Sequence, residues 1–255
     1  MIRTIWTQTY DVNTILLTHR KRLGLVGLLN ILQDVAWIHA RHLGHGFDEI
    51  LASGAIWVLA RQALAVERWP AWGESVTVRT WVRPPDGPLA HRDYEIMSSG
   101  QPVGTGTASW LLLDVRTRRP RKLTLEAGGA GWRRDGALLR TPQKIVPLDG
   151  LAAIARFGVR VSDLDLNGHV NNSRYAQWIS DSVPLEGHLG FDLVDYEVNF
   201  LGETRVGDEV WIEQGVLDPM PRCPLRHHYQ GRRVGDGKVV FAARLGASET
   251  KGYRL

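Results

Sequence analysis

The chain contains a single cysteine, Cys223, among its 255 residues, so it cannot form an internal disulfide. No apolar run approaches the roughly 20 residues that a membrane-spanning helix needs. The N-terminal residues MIRTIWTQTYDVN also lack the apolar stretch of a secretory signal. These absences predict a cytoplasmic protein without a membrane segment. With 44% hydrophobic residues, the chain suits one large domain or two of about 125 residues each.

The net charge is modest and basic. It is +4, the sequence pI is about 9.4, and most of the excess is arginine. The stretch RTRRPRK, Arg116 to Lys122, is the densest basic cluster. It is either a solvated loop or a docking surface for an acidic partner. Nucleic acid is a weaker candidate partner, because no aromatic residues alternate with the basic ones and no nucleic-acid-binding motif is present.

Hydrophobic periodicity predicts an α+β fold with two similar halves. Residues 24–52 have apolar side chains at helical spacing, with an interruption near Gly44 and Gly46, and four strand-like runs follow. Residues 169–181 form a second predicted helix, again followed by four strand-like runs. One helix followed by several antiparallel strands is typical of a sheet curled around a helix.

The two halves align weakly but in a consistent order. A period of about 134 residues places Gly73 opposite Gly207, each within a similar loop before a predicted strand. We interpret this as an internal duplication. The predicted domains are residues 1–125 and 151–255, and the Gly-, Arg- and Pro-rich residues 126–150 form a predicted linker.

The stretch DLDLNGHVNN, which starts at Asp163, begins like a calcium-binding loop but lacks an essential ligand. An EF-hand loop needs a bidentate glutamate at its twelfth position, where this chain has Arg174. A cation there repels calcium. The polar residues of this stretch therefore need another explanation.

Asp165, Asn167 and His169 occupy alternate positions just before the second predicted helix. In an extended chain, alternate side chains point the same way, so these three could converge. A helix that begins near residues 168–170 would direct its free N–H groups to the same place. This combination suits the attack of water on a carbonyl group. The alternative is that Asp165 or Asn167 only caps the helix.

The segment VSDLDLNGHVNNSRYAQWI resembles the D-x-N-x-H-V-N-N-x-x-Y motif of plant and bacterial acyl-acyl carrier protein (acyl-ACP) thioesterases. LQDVAWIHARHLG in the first half also resembles a helix of that family. The resemblance implies two tandem hotdog domains that hydrolyse fatty acyl-ACP and so end fatty acid elongation. It implies ACP as the partner, no metal or organic cofactor, and either a monomer or a homodimer.

The resemblance also implies a catalytic set, namely Asp165, Asn167, His169 and, from NFLGETRVGD, Glu203. Plant members have a cysteine directly after this glutamate, whereas this chain has Thr204. A cysteine nucleophile is therefore excluded at this position, which favours attack by water or by a carboxylate.

The first half lacks this polar set. Its counterpart of the motif reads LLTHRKRLG, and Trp69 occupies the place of Glu203. We therefore expect the N-terminal domain to be a binding or scaffolding copy and the C-terminal domain to be catalytic. The resemblance implies that the N-terminal domain helps to hold the acyl chain.

Other functions remain open at this point. The rivals are an acyl-CoA thioesterase with the same chemistry and a non-catalytic acyl-binding protein. A hotdog dehydratase or hydratase is disfavoured, because the motif does not resemble its active-site helix. His39, His42 and His45 have a spacing that could place metal ligands on one helix face, but no carboxylate or cysteine completes an obvious set.

Overall fold

The chain divides into two compact units. The computed structural model describes residues 4–122, 133 and 141–250. The units are Met1–Pro142 and Gln143–Leu255, so the division lies inside the segment predicted as a linker. In the described part of the chain, no helix combines the length and the hydropathy needed to cross a bilayer.

Unit 1 (Met1–Pro142) is an antiparallel sheet with one long helix. Its strands are ordered β1-β3-β4-β5-β2. Its elements are β1 (Ile5–Asp11), α1 (Leu25–His42), α2 (Phe47–Ala52), β2 (Ala55–Val66), β3 (Ser75–Val82), β4 (Leu89–Ser98) and β5 (Gln101–Asp114).

Helix α1 is held by its apolar face, which packs against β1 and β3. The buried apolar residues recur at helical spacing and are Leu25, Leu28, Leu29, Ile31, Leu32, Val35 and Ala36. The predicted interruption is confirmed: Gly44 adopts a left-handed φ of 76°, and α2 begins after Gly46.

Unit 2 (Gln143–Leu255) has the same architecture. Its strands are ordered β7-β10-β9-β8-β6, which matches the order in unit 1 strand for strand and confirms the duplication. Its elements are β6 (Ala152–Gly158), a 3-10 turn (Val161–Asp163), α3 (Asn172–Asp181), α4 (Leu185–Gly190), β7 (Phe191–Phe200), β8 (Glu209–Val216), β9 (Leu225–Arg233) and β10 (Val239–Glu249). The predicted α+β class is confirmed, although β1 and β6 were not predicted.

Helix α3 packs on its sheet through aromatic rings. The Tyr175 ring lies 5.6 Å from that of Phe200 and 5.1 Å from that of Phe241, between centroids. The prediction that this helix begins at residues 168–170 is wrong. Asn171 is its N-cap, and the Asn171 side chain accepts a hydrogen bond from the Ser173 N–H. The helix starts late because the preceding residues form a closed turn.

Part of the predicted linker lies against the sheet of unit 2. Residues 126–132 and 134–140 are outside the described residues. In the described part, the buried Asn199 side chain accepts from the Ile145 N–H at 2.7 Å and donates to the Gln143 carbonyl at 3.0 Å. The buried Gln230 makes the same two-way contact with Leu148, at 2.9 and 2.8 Å. These side-chain amides are hydrogen-bond partners for backbone groups of a segment that lies outside the strands. Ile145 of this segment is fully buried.

Replacing Asn199 with leucine should destabilise unit 2. The Asn199→Leu variant leaves a buried N–H and a carbonyl without their partner, which costs about 1–3 kcal/mol. Urea unfolding followed by tryptophan fluorescence measures the loss. The control is Asn30→Leu, at an exposed position of α1. An Asn199→Leu variant as stable as the control would show that the amide does not hold the segment.

Candidate active site

Residues 164–170 form a tight turn. Leu164 and Val170 pair as an isolated antiparallel bridge that closes it. The Asp165 N–H donates to the His169 carbonyl at 2.8 Å, and the Gly168 N–H donates to the Asp165 carbonyl at 3.1 Å. Gly168 has a φ of 72°, which a residue with a side chain adopts only with strain. The expectation that the polar residues alternate along an extended chain is therefore wrong.

The Asp165 carboxylate stabilises the turn from inside. Its Oδ1 accepts hydrogen bonds from the backbone N–H of Asn167 at 2.8 Å and of His169 at 3.3 Å. Neither Asp165 nor Asn167 caps α3, because Asn171 does so. The capping alternative is thus wrong. The Asn167 side chain is exposed on the turn.

His169 and Glu203 are brought into direct contact. The Nε2 atom of His169 lies 3.2 Å from Oε2 of Glu203, and the two side chains are 24% and 37% exposed. The Arg205 guanidinium lies 3.4 Å from the same carboxylate oxygen. An imidazole and a carboxylate that touch each other and still reach solvent can together bind and polarise a water molecule.

Two contacts fix Glu203 relative to the turn. The Val170 N–H donates to the Thr204 carbonyl at 3.3 Å. The Thr204 hydroxyl lies 2.6 Å from the Tyr175 hydroxyl of α3, and both residues are buried. Burial raises the pKa of Tyr175 to about 12, and the nearby charge of Asp165 adds to this shift. Tyr175 therefore stays neutral and hydrogen-bonded.

Sequence reasoning missed the role of Tyr175, although this residue is part of the motif VNNSRY. The sequence signal for this role was the tyrosine hydroxyl at the end of the motif. Its hydrogen-bond partner lies far away in sequence and could not be predicted from it. The hydroxyl of Thr204, at the place of the plant cysteine, is not exposed to solvent. Its Oγ1 is buried against the tyrosine.

Unit 1 repeats the turn in its backbone. Leu17 and Leu23 form the closing bridge. The Thr18 N–H donates to the Arg22 carbonyl at 2.8 Å, and the Lys21 N–H donates to the Thr18 carbonyl at 3.0 Å. Lys21, at the place of the turn glycine, has a left-handed φ of 53°. The two units therefore carry the same main-chain scaffold.

The side chains on this scaffold differ. The unit 1 residues at the places of Asp165, Asn167 and His169 are Thr18, Arg20 and Arg22. The hydrogen bond from Val170 to Thr204 has a counterpart in unit 1, where the Leu23 N–H donates to the Pro70 carbonyl at 2.8 Å. Trp69 lies directly before Pro70, at the place of Glu203, and is buried. Unit 1 therefore lacks the imidazole–carboxylate pair at this place.

Two of the three histidines of α1 and its following turn, His39 and His42, contact other side chains of unit 1. Nδ1 of the fully buried His39 lies 2.8 Å from the Arg92 guanidinium, which donates to it. The His42 ring lies 4.0 Å from that of Trp6. Within the described ranges, no group of three or more histidine, cysteine, aspartate or glutamate side chains could hold a metal ion.

Two solved structures share the fold of the whole chain. They are an acyl-ACP thioesterase from Bacteroides thetaiotaomicron (TM-score 0.85, 23% identity, 96% of this chain and 98% of that one) and the 12:0-ACP thioesterase from Umbellularia californica (TM-score 0.85, 20% identity, 97% and 95%). These likenesses establish tandem hotdog domains of the α+β class.

Matches to family models identify the family of the chain within this fold. The model of the acyl-ACP thioesterase N-terminal domain matches residues 3–128, and that of the C-terminal domain matches residues 149–242. The chloroplastic palmitoyl-ACP thioesterase of Gossypium hirsutum is 32% identical over 196 residues, which are 71% of this chain and 48% of that protein. The chain belongs to the acyl-ACP thioesterase family. It spans about half the length of the curated relatives that it matches.

The hydroxyl pair under the site should show energetic coupling. Tyr175→Phe and Thr204→Val should each cost about 1–2 kcal/mol, because each leaves a buried hydroxyl without its partner. The double variant should cost clearly less than the sum. Denaturant unfolding of the four proteins measures the coupling. Thr9 and Thr77, an exposed hydroxyl pair at 2.9 Å, give a matched control cycle with coupling near zero. Additive losses at Tyr175 and Thr204 would contradict the account.

Proposed function

We propose that the protein hydrolyses thioesters of fatty acids carried by ACP, with Asp165, Asn167, His169 and Glu203 as its catalytic residues. The observation that carries the proposal is the 3.2 Å contact between His169 and Glu203, which lie far apart in sequence. The contact sits beside the turn that Asp165 organises. Family membership supplies the substrate class.

The proposed reaction adds water to the thioester carbonyl. Glu203, held against His169, accepts a proton from the attacking water. The water oxygen bonds to the carbonyl carbon. The carbon–sulfur bond then breaks, the leaving thiolate takes up the proton that Glu203 accepted, and the fatty acid is released with the Glu203 carboxylate regenerated. A thioester has weak resonance and a good leaving group, so an oriented and activated water suffices.

Asp165 has two possible roles in this scheme. The Asp165 side chain accepts two hydrogen bonds from backbone N–H groups, and both end on Oδ1. This oxygen therefore orients the carboxylate. Asp165 either activates the water or attacks the carbonyl itself, forming an anhydride that water hydrolyses. Asn167, exposed on the same turn, would orient the water or stabilise the intermediate.

The carrier is proposed to be ACP and not coenzyme A. Relatives of this chain are named for the palmitoyl, oleoyl and dodecanoyl thioesters of ACP. We further propose that the N-terminal unit serves acyl-chain binding. Its copy of the turn has no imidazole–carboxylate pair, which supports a non-catalytic role.

Loss of the site carboxylates should lower the catalytic rate and leave the free energy of unfolding unchanged. Glu203→Gln and Asp165→Asn should each lower kcat for acyl-ACP by a factor of about 100 or more, because each removes a proton acceptor. Thiol release from acyl-ACP and acyl-CoA of matched chain lengths measures the rates. The control is Glu186→Gln, an exposed carboxylate in α4.

The possible outcomes separate the rivals. Fast release from acyl-ACP that both site variants lose supports the proposal. Faster release from acyl-CoA would assign the activity to a CoA thioesterase. Tight acyl binding without release from either carrier would indicate a binding protein. Full activity in Glu203→Gln would refute the proposed role of that residue.

A further inference from the structure

One short segment carries a net charge equal to that of the whole chain. Residues 114–122 contain five cationic side chains and one carboxylate, a net charge of +4 that equals the charge of the whole chain. The remainder contains 26 lysines and arginines (31 minus 5) and 26 aspartates and glutamates (27 minus 1). The rest of the protein is therefore formally neutral. The basic character reflects this segment, which we name the basic turn.

The basic turn is a defined structure and not a loose loop. The Arg118 N–H donates to the Asp114 carbonyl at 2.9 Å, and the Asp114 N–H donates to the Arg119 carbonyl at 3.0 Å. Leu113 and Pro120 form an antiparallel bridge just beyond. Arg118 itself has a left-handed φ of 57°. The segment thus folds back on the end of β5.

One carboxylate organises the turn. Asp114 Oδ1 accepts from the backbone N–H groups of Arg116 and Thr117, at 3.1 and 2.8 Å. Its Oδ2 accepts from the Arg121 guanidinium at 2.7 Å. The Arg121 guanidinium, with the Thr117 N–H, holds the pKa of Asp114 well below its usual range, so this carboxylate is ionised at neutral pH. The only acidic group in the segment is thereby occupied inside the turn.

Arg121 also fastens the turn to the rest of unit 1. Its guanidinium donates to the carbonyls of Ser53 and Gly54, at 2.7 and 2.9 Å. Four other cationic side chains of the turn are exposed, those of Arg116, Arg118, Arg119 and Lys122. A rigid base that presents several cations loses little conformational entropy when an acidic surface docks on it.

We propose that the basic turn is the docking surface for an acidic face of the acyl carrier protein. The turn presents four exposed cations at one ordered place, and the rest of the chain sums to zero net charge, so the turn is complementary to an acidic surface. Such a patch steers an oppositely charged protein and raises its association rate. The inference rests on the proposed function, since it names the surface that recognises the carrier.

The test compares substrates that differ only in the carrier. One acyl chain is presented on ACP, on coenzyme A and on N-acetylcysteamine, a small neutral thiol. The variant is Arg116→Glu/Arg119→Glu, which leaves Asp114 and Arg121 in place. The control is Lys144→Glu/Arg222→Glu, which makes the same change of net charge at exposed residues elsewhere.

The expected result is selective. The turn variant should lower kcat/KM for acyl-ACP about tenfold or more through KM, with kcat unchanged. Its activity on the N-acetylcysteamine thioester should equal that of the wild type, and the control should resemble the wild type on all substrates. Salt should lower kcat/KM for acyl-ACP more steeply in the wild type than in the variant.

Other results would overturn the inference. Equal losses on acyl-ACP and acyl-CoA would mean that the turn recognises a phosphate common to both carriers. Equal losses in the control variant would mean that net charge and not this surface matters. An unchanged KM for acyl-ACP would remove the turn from the docking surface.

A binding measurement separates this inference from the proposed function. ACP that carries a non-hydrolysable acyl amide is titrated into the wild type and into the turn variant. Weaker binding by the variant alone supports docking even if the wild type hydrolyses no thioester. Equal dissociation constants would refute docking even if hydrolysis is fast.

Discussion

The candidate site depends on two hydrogen bonds in unit 2, which join the loop at Thr204 to the turn of residues 164–170 and to α3. The Val170 N–H bonds to the Thr204 carbonyl, and the Thr204 hydroxyl bonds to Tyr175. These two bonds hold Glu203 beside His169, although more than 30 residues and a strand separate them in the chain. The site is therefore positioned by backbone and buried hydroxyl groups, together with the Asp165 carboxylate that holds the turn.

The duplicated fold separates scaffold from chemistry. Unit 1 keeps the closed turn before its helix and the bond from Leu23 to Pro70, so the backbone geometry does not require the polar set. At the places of Asp165 and Glu203, unit 1 has the uncharged Thr18 and Trp69. The proposed catalytic side chains are thus placed on a backbone frame that both units share.

The sequence allowed the main architecture to be predicted, but not the local geometry of the site. Helical spacing located α1, its glycines located the break at Gly44, and strand-forming residues between turn signals located eight of the strands. Sequence patterns failed at residues 164–170, where hydrogen bonds to Asp165 and the left-handed Gly168 override the extended spacing. The pairing of Tyr175 with Thr204 depends on tertiary folding, and no local pattern encodes it.

The most direct test of the account is a structure of the protein with acyl-ACP in which an amide replaces the thioester. The account predicts that the amide carbonyl carbon lies within about 4 Å of the water or carboxylate oxygens held by His169, Glu203 and Asp165 in unit 2. A carbonyl bound instead at the Thr18–Leu23 turn of unit 1, or far from both turns, would contradict it.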